Sequence, residues 1–151
     1  MATIKLAPTT LFLATPISNK HPSELLRLKS IIETIEGAAT VRGVKTFCAL
    51  REEGWKADPN PGIVMRDLNW VRSCTGAILI PGDSHGVRIE EGWLSAFQKP
   101  ILRLHDGVLD IRSALEAHLR QIVPVFDRVF TEVAQLPGFV DEFIGFLQAI
   151  K

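Results

Sequence analysis

The chain contains 151 residues with a hydrophobic fraction of 46%, and its 17 basic residues are balanced by 17 acidic ones. This composition is that of one globular domain over residues 1–151, and a net charge of zero argues against nucleic-acid polymers and anionic membranes as partners. No apolar run approaches the ~20 residues of a membrane span, so we expect a soluble, cytoplasmic protein. Two cysteines, Cys48 and Cys74, are too few for a disulfide framework and are expected to be free thiols.

Short apolar segments alternate with amphipathic patterns along the chain. The predicted strands cover residues 10–14, 39–49, 76–82, 99–104 and 128–133. The predicted helices cover residues 22–37, 63–74, 88–98, 110–123 and 138–151, the first with Ser23 as its N-cap and Gly37 at its end. Apolar strands between amphipathic helices are typical of a parallel sheet. The sequence therefore predicts a single-domain α/β fold, a Rossmann-like (flavodoxin-like) parallel five-stranded sheet with helices on both faces.

In such sheets ligands bind beyond the carboxyl ends of the strands, where the strand order reverses. The loops after the first and third predicted strands, residues 15–23 and 80–92, are therefore the candidate binding loops. In the second loop Gly82 and Gly86 would let the backbone approach a ligand, and Ser84 supplies a hydroxyl. The N–H groups that begin the next helix would bind a phosphate or another anion.

Two adjacent glutamates, Glu90 and Glu91, follow this loop. If the helix begins near Val87, Glu90 faces the cleft, while Glu91, about 100° further round the helix, faces away into solvent. The alternative is that both are ordinary acids at the start of a helix. Asp67 lies in an apolar helical pattern and is either an N-terminal capping acid or a second acid of the cleft.

Two segments, Phe12–Ser18 and Arg66–Leu104, carry a longer pattern. It contains the spaced residues Ser84, Gly86, Glu90 and Gly92, followed by Lys99-Pro100-Ile101. The pattern resembles the nucleoside 2-deoxyribosyltransferase-like family, and within it the 2′-deoxynucleoside 5′-phosphate N-hydrolases and the CMP N-glycosidases. The resemblance ends near Leu104, and the last third of the chain carries no family signature.

The resemblance implies hydrolysis of the N-glycosidic bond of a nucleoside 5′-monophosphate to free base and (deoxy)ribose 5-phosphate through a glycosyl-Glu intermediate. Glu90 would be the catalytic nucleophile, and Asp67 the catalytic acid that holds the sugar or handles the proton of the leaving base. Ser84 and Gly86 would hold the 5′-phosphate. No cofactor and no metal ion is expected. The alternatives are a nucleoside (deoxy)ribosyltransferase and a catalytically inactive nucleotide-binding or sensor protein of the same fold.

The loop after the first strand departs from the family pattern, which tends to have an arginine and paired glycines there. The predicted substrate- and phosphate-binding residues are Phe12, Thr15, Pro16, Ile17, Ser18, Lys20, His21, Ser84, His85, Gly86 and Arg88. Phe12 stands where family members often have an aromatic hydroxyl. Arg88 replaces a small residue and is expected to pair with Glu90, Asp83 or a substrate phosphate. The departures favour the inactive alternative, whereas Asp67 and Glu90 favour an enzyme.

Aromatic residues and histidines outside this pattern have simpler interpretations. Trp55, in a loop rich in proline and glycine, is a candidate lid over the base, whereas Trp70 and Trp93 are expected in the core. His105 and His118 are expected at the surface. The last predicted helix carries apolar residues on more than one face, which predicts a homodimer or a higher homo-oligomer.

Overall fold

The computed structural model describes residues 7–16, 21–56 and 60–151. Within these ranges the strands are β1 (Thr10–Ala14), β2 (Lys45–Cys48), β3 (Gly76–Leu79), β4 (Ile101–Asp106) and β5 (Val125–Phe130). The α-helices are α1 (Pro22–Val41), α2 (Ala49–Glu52), α3 (Gly62–Ser73), α4 (His85–Ala96), α5 (Ala114–His118) and α6 (Leu136–Ala149). Short 3-10 turns cover Leu119–Gln121 and Val133–Gln135. Among the described helices, none is long and apolar enough to cross a membrane.

The strands form one parallel sheet in the order β2-β1-β3-β4-β5. This order confirms the predicted flavodoxin-like α/β fold. At the centre, Leu13 of β1 pairs with Cys48 of β2 on one side and with Ile78 of β3 on the other. Because the chain goes outward from β1 to β2 and then returns to β3, the strand order reverses between β1 and β3, where ligands bind in this fold.

Alternation along the strands divides the core into two layers. Leu13 of β1 packs with α1 and α6 on one face of the sheet. Phe12 and Ala14 pack on the other face with α3 and α4. Cys48 and Cys74 are free, as predicted, and one is buried in each layer. The helices that carry the predicted catalytic acids therefore cover the same face of the sheet.

The first helix is longer than predicted, because α1 continues past Gly37. Nothing lies within 4 Å of a Cβ atom placed at Gly37, and the chain turns only at Gly43, whose φ of +68° suits a glycine. The N-cap is His21 instead of Ser23, since His21 Nδ1 accepts a hydrogen bond from the Ser23 backbone N–H (3.3 Å). The predicted strand over residues 39–49 is therefore reduced to β2, followed by the unpredicted helix α2.

The apolar residues of α6 are buried within the chain. Ile144 and Leu147 are fully buried against the sheet. Phe126 of β5 contacts Phe143 and Phe146 edge-on, with ring centroids 5.9 and 4.9 Å apart. β5 and α6 both begin and end a few residues earlier than predicted. The apolar side chains of α6 thus pack against the chain's own sheet. They do not support the predicted oligomer.

Gly76 begins β3 directly beneath α6, where no side chain fits. A Cβ atom at this position would lie 2.9 Å from both δ-carbons of Leu147 and 3.2 Å from Cζ of Phe143. We expect Gly76→Ala to lower the free energy of unfolding by about 1–3 kcal/mol, because α6 must move away from the sheet. Chemical denaturation measures this, with Gly145→Ala as the control, since nothing lies within 4 Å of that site on α6. Equal effects of both changes would contradict the argument.

Candidate functional site

Charged side chains converge where α3 packs against α4, near the carboxyl edge of the sheet. Both helices begin at this edge, because each follows a strand and runs back along the sheet. Asp67 and Glu90 are each the sixth residue of their helix, about one and a half turns from its N-terminus. Asp67 therefore does not cap α3, and the capping alternative is excluded.

Arg66 joins two acids of this cluster. Its Nη2 donates to Glu53 Oε1 (2.7 Å) and its Nε donates to Asp67 Oδ1 (2.8 Å). The guanidinium also lies over the ring of Phe47, 5.4 Å from the centroid. Glu53 and Asp67 are both buried, so a charge-assisted hydrogen bond fixes each carboxylate. The described residues contain no group of three His, Cys, Asp or Glu side chains that could hold a metal ion.

Glu90 is the unpaired acid of the cluster. Within the described residues its carboxyl makes no hydrogen bond and no ion pair. Burial, and then the negative charges of Asp67 and Glu53, raise the pKa of Glu90 to about 8, while Arg66 opposes the shift. Burial also raises the pKa of Asp67, again opposed by Arg66. The cluster therefore favours the protonated form of the half-buried Glu90 at neutral pH, and a pair of acids perturbed in this way is typical of a catalytic site.

Ser84 occupies the N-cap position of α4 without capping the helix. Its hydroxyl makes no hydrogen bond within the described residues, although the residue is almost fully buried. A Cβ atom at Gly86 would lie 3.6 Å from that hydroxyl and would meet nothing else within 4 Å. His85, between them, is exposed. The N-terminus of α4 thus offers an unpaired hydroxyl beside the N–H groups that a helix leaves free, which together can bind a phosphate.

The loop after β1 is described only in part. Thr15 and Pro16 are buried. A Cβ atom at Gly82 would lie 3.1 Å from Cγ of Pro16, so Gly82 lets the two binding loops pack closely together. His21 is engaged as the N-cap of α1. The predictions for Ile17, Ser18 and Lys20 fall outside the described residues.

A cleft of about 310 Å³ opens beside these loops on the α1 side of the sheet. Pro16, Ile80 and Pro81 line it near the switch point between β1 and β3. Arg27, which also lines it, is bound to Asp106 through its Nε (2.7 Å) and Nη2 (2.6 Å). The cleft has room for part of a ligand, while the unpaired acid lies between the helices on the other face.

Two predicted binding residues are engaged elsewhere. Phe12 is fully buried in the middle of β1, so the structure gives it a packing role. Arg88 donates to Glu116 with Nη1 2.6 Å from Oε2. The expected pairing of Arg88 with Glu90 or Asp83 was therefore wrong.

The two adjacent glutamates lie on opposite flanks of α4. Glu91 does not face solvent: it is only 4% exposed, and its Oε1 accepts a hydrogen bond from Arg103 Nη1 (3.0 Å). Arg103, 1% exposed, also donates to both carboxylate oxygens of Asp127 (2.8 and 3.0 Å). His105, expected at the surface, is buried with Nε2 2.7 Å from Asp127 Oδ1. Glu91 is thus a structural acid in a buried ion-pair network, and its predicted exposure was wrong.

Sequence reasoning missed Glu53 and Arg66, which complete the acid cluster. Glu53 closely follows β2, as Ser84 closely follows β3. Because the carboxyl ends of parallel strands meet at one edge of the sheet, an acid a few residues after β2 was a usable signal. Arg66 carried no comparable signal, since a cation on the polar side of a helix is ordinary.

The tryptophans have structural roles. Trp70 stacks on Phe47 with ring centroids 4.6 Å apart, and Trp93 packs against the same layer, as predicted. Trp55 packs against the layer formed with α1 and α6, and Lys29 Nζ lies 5.1 Å from its ring centroid. These contacts give Trp55 a packing role on the α1 side, away from the face that carries Glu90.

The comparisons with known proteins rest on structure. No protein-family model matches the sequence, and no curated protein matches it either. The CMP N-glycosidase BcmB of Clostridium botulinum is similar in structure, with a TM-score of 0.67 and 20% sequence identity over 89% of this chain and 99% of that one. The two proteins share a fold. A de novo designed protein with the Rossmann 2x3 fold is also similar, with a TM-score of 0.53 and 14% identity over 92% of this chain and 90% of the design.

Proposed function

We propose that this protein is an N-glycosidase that hydrolyses a nucleoside 5′-monophosphate to the free base and (deoxy)ribose 5-phosphate. The observation that carries the proposal is the carboxyl of Glu90, unpaired within the described residues and near Asp67, at the edge where this fold binds ligands. The fold shared with a CMP N-glycosidase supports a nucleotide as the substrate.

Glu90 is the nucleophile in this proposal. One of its carboxylate oxygens attacks C1′ of the sugar, and the C1′–N bond breaks as the ester forms, so the electron pair leaves with the base. Positive charge grows on the sugar in the transition state, and the carboxylate of Glu90 stabilises it. Asp67, held as a carboxylate by Arg66, orients the sugar, and the departing base takes its proton from solvent water. Asp67 then accepts a proton from the water that hydrolyses the ester, and this step returns Glu90 to its free carboxylate.

The 5′-phosphate binds at the N-terminus of α4 in this proposal. The unpaired hydroxyl of Ser84 and the first N–H groups of the helix, including that of Gly86, supply hydrogen bonds to its oxygens. Binding energy from this remote group holds C1′ near the carboxyl of Glu90, which lies further along the same helix. The helix α4 thus carries both the phosphate site and the nucleophile.

The raised pKa of Glu90 predicts a pH-dependent rate. Burial and the charges of Asp67 and Glu53 favour the protonated form, which is not nucleophilic, so the reactive carboxylate increases as the pH rises through about 8. We expect kcat/KM to rise about tenfold per pH unit below this value and to level off above it. The measurement is base release across a pH series. A profile that stays flat through about pH 8 would contradict Glu90 as the nucleophile.

Incubation with a panel of ribo- and deoxyribonucleoside 5′-monophosphates, and with the matching nucleosides, tests the proposal directly. Free base is read by chromatography. Release from monophosphates alone supports the proposed hydrolase and identifies its base and sugar. Release only when a second base is supplied replaces it with the transferase. No release from any substrate, together with nucleotide that protects the protein against heat, replaces it with the inactive nucleotide-binding protein.

We also propose a homodimer, formed through α3 and α4. Val64 and Met65 on α3 are exposed by 51 and 55%, and Ile89 on α4 and Phe97 directly after it are exposed by 53 and 39%. Exposed apolar residues on two packed helices are typical of a protein interface. We expect sedimentation at micromolar concentration to give a dimer, and Ile89→Asp to give a monomer. A monomeric parent protein removes this part of the proposal.

A further inference from the structure

Arg66 lies in a cluster of three acids but pairs with only two of them. Its Nη2 donates to Glu53 Oε1 (2.7 Å) and its Nε donates to Asp67 Oδ1 (2.8 Å). The third acid, Glu90, makes no hydrogen bond and no ion pair within the described residues, although Arg66 is near enough to oppose the shift of its pKa. An arginine among three carboxylates is attracted to each of them, so other contacts must hold it away from Glu90.

Glu53 is the acid with the strongest need of this cation. It is the C-cap residue of α2, where its backbone N–H donates to Ala49 O (2.9 Å), and 2% of its side chain is exposed. A charge buried to this extent is stable only with a partner, and Arg66 provides one through a charge-assisted hydrogen bond. Glu90 has less need of the cation, because the protonated, neutral form of its carboxyl is favoured at neutral pH.

A second contact holds the guanidinium on the same side of α3. Its Cζ lies 5.4 Å from the ring centroid of Phe47, a buried residue of β2 that is itself stacked on Trp70. Both Phe47 and Glu53 come from β2 and the segment after it, and β2 is the outermost strand on that side of the sheet. Glu90 lies on α4, which packs over β1 and β3. The two contacts therefore hold Arg66 away from Glu90.

We propose that Glu53 is a positioning residue for the reaction at Glu90, an inference that rests on the proposed function. Its carboxylate anchors Arg66, so that Arg66 holds Asp67 in place for the sugar and leaves Glu90 unpaired for attack on C1′. With so little of its side chain exposed, Glu53 acts through Arg66 and not by contact with the substrate. Without this anchor the guanidinium turns toward Glu90 and forms an ion pair that the substrate would have to break.

Few charged groups face Glu90 among the described residues. Asp67 and Arg66 come from α3, and Glu53 from the end of α2. Glu91, its neighbour on α4, lies on the opposite flank, and β1 and β3 beneath α4 carry no charged side chain. The charge of Glu53 raises the pKa of Glu90, whereas that of Arg66 lowers it. Removing the charge of Glu53 therefore lowers this pKa in two ways, because a negative charge is lost and the positive charge of Arg66 is no longer neutralised.

Glu53→Gln removes the charge but keeps an oxygen that accepts from Arg66 Nη2. We expect the pH at which Glu90 is half ionised to fall by at least about half a unit. In the same variant kcat/KM at neutral pH should rise about threefold, while its plateau at high pH stays within about twofold of the parent value. The half-ionisation of Glu90 is measured by NMR of its side-chain carboxyl carbon, assigned with Glu90→Gln, and the rate by base release.

Glu53→Ala removes the acceptor as well as the charge. Arg66 is then free to pair with Glu90, and Asp67 loses its fixed position. We expect kcat on the high-pH plateau to fall about tenfold or more while KM stays within a few fold, because the proposed phosphate site is unchanged. The matched control is Glu52→Ala, which removes the exposed neighbouring acid and should leave the titration of Glu90 and both constants as in the parent.

The outcomes separate this inference from the proposed function. An unmoved titration of Glu90 in Glu53→Gln overturns the inference, and this result needs neither turnover nor a folded Glu53→Ala. Equal plateau rates in Glu53→Gln and Glu53→Ala overturn it as well, because a residue that only supports the fold would give them. A titration that moves as expected in a protein that releases no base supports the anchoring of Arg66 by Glu53 and removes the proposed hydrolysis instead.

Discussion

Glu90→Gln is expected to release base at least roughly a thousandfold more slowly than the parent. Its affinity for nucleotide should stay within a few fold of the parent affinity. The amide has the shape of the carboxyl but cannot form the glycosyl ester. Because the Glu90 carboxyl has no hydrogen-bond partner within the described residues, the change breaks no contact in that part of the chain. Time courses of base release, together with calorimetric binding of the monophosphate, measure the two quantities separately.

The control for this variant is Glu52→Gln, which removes an exposed acid at the end of α2 and should leave the rate unchanged. A rate above about a tenth of the parent value in Glu90→Gln would rule out Glu90 as the nucleophile. The dependence of the free energy of unfolding on pH gives a second test of this variant. The folded-state pKa of about 8 lies above that of an unfolded glutamate, about 4.3, so the parent loses stability as the pH rises from the unfolded value to about 8. Glu90→Gln should therefore gain stability relative to the parent over that range and keep the gain above it.

Glu90 and Glu91 show which parts of the site a sequence can predict. Consecutive helical residues are rotated by about 100°, so the placement of the two acids on different flanks followed from their adjacency. The partner of Glu91 did not follow. Arg103 lies within an apolar strand, and its inward position is stable only because Glu91 and Asp127, from two other elements, meet it there. Such a pairing between distant residues leaves no mark in local spacing.

The same contrast holds for the fold. The parallel sheet with helices on both faces could be predicted, because short apolar segments between amphipathic helices leave few alternatives to it. The end of α1 could not be predicted from the sequence. Gly37 is a local signal for the end of a helix, but packing further along the chain favours a longer helix. Ile35 and Ala39 are both fully buried on one face of α1, and burying Ala39 keeps the helix intact past the glycine. Tertiary packing outweighs a glycine that costs only about 1 kcal/mol.

The buried network around Arg103 gives the second large expected effect. Arg103 is fully buried and holds two carboxylates, those of Glu91 and Asp127. Arg103→Met keeps much of the side-chain volume but leaves both acids without their cation. We expect the free energy of unfolding to fall by about 3–5 kcal/mol, since removing one partner of a buried ion pair leaves an uncompensated charge. Chemical denaturation at neutral pH measures this change.

Arg42→Met is the matched control, because Arg42 makes an exposed ion pair with Asp141 (2.7 Å) whose loss should cost less than about 1 kcal/mol. The free energy of unfolding at acid pH gives an independent measurement of the same effect. Burial opposes ionisation of Asp127, but hydrogen bonds from His105 and Arg103 outweigh it and lower its pKa to about 2. Its contribution is therefore present above the unfolded pKa of about 4 and is lost as the pH falls through 2. Arg103→Met should lose part of this contribution, so the stability gap to the parent should narrow toward acid pH. A gap that does not depend on pH would mean that lost packing, and not the unpaired acids, causes the effect.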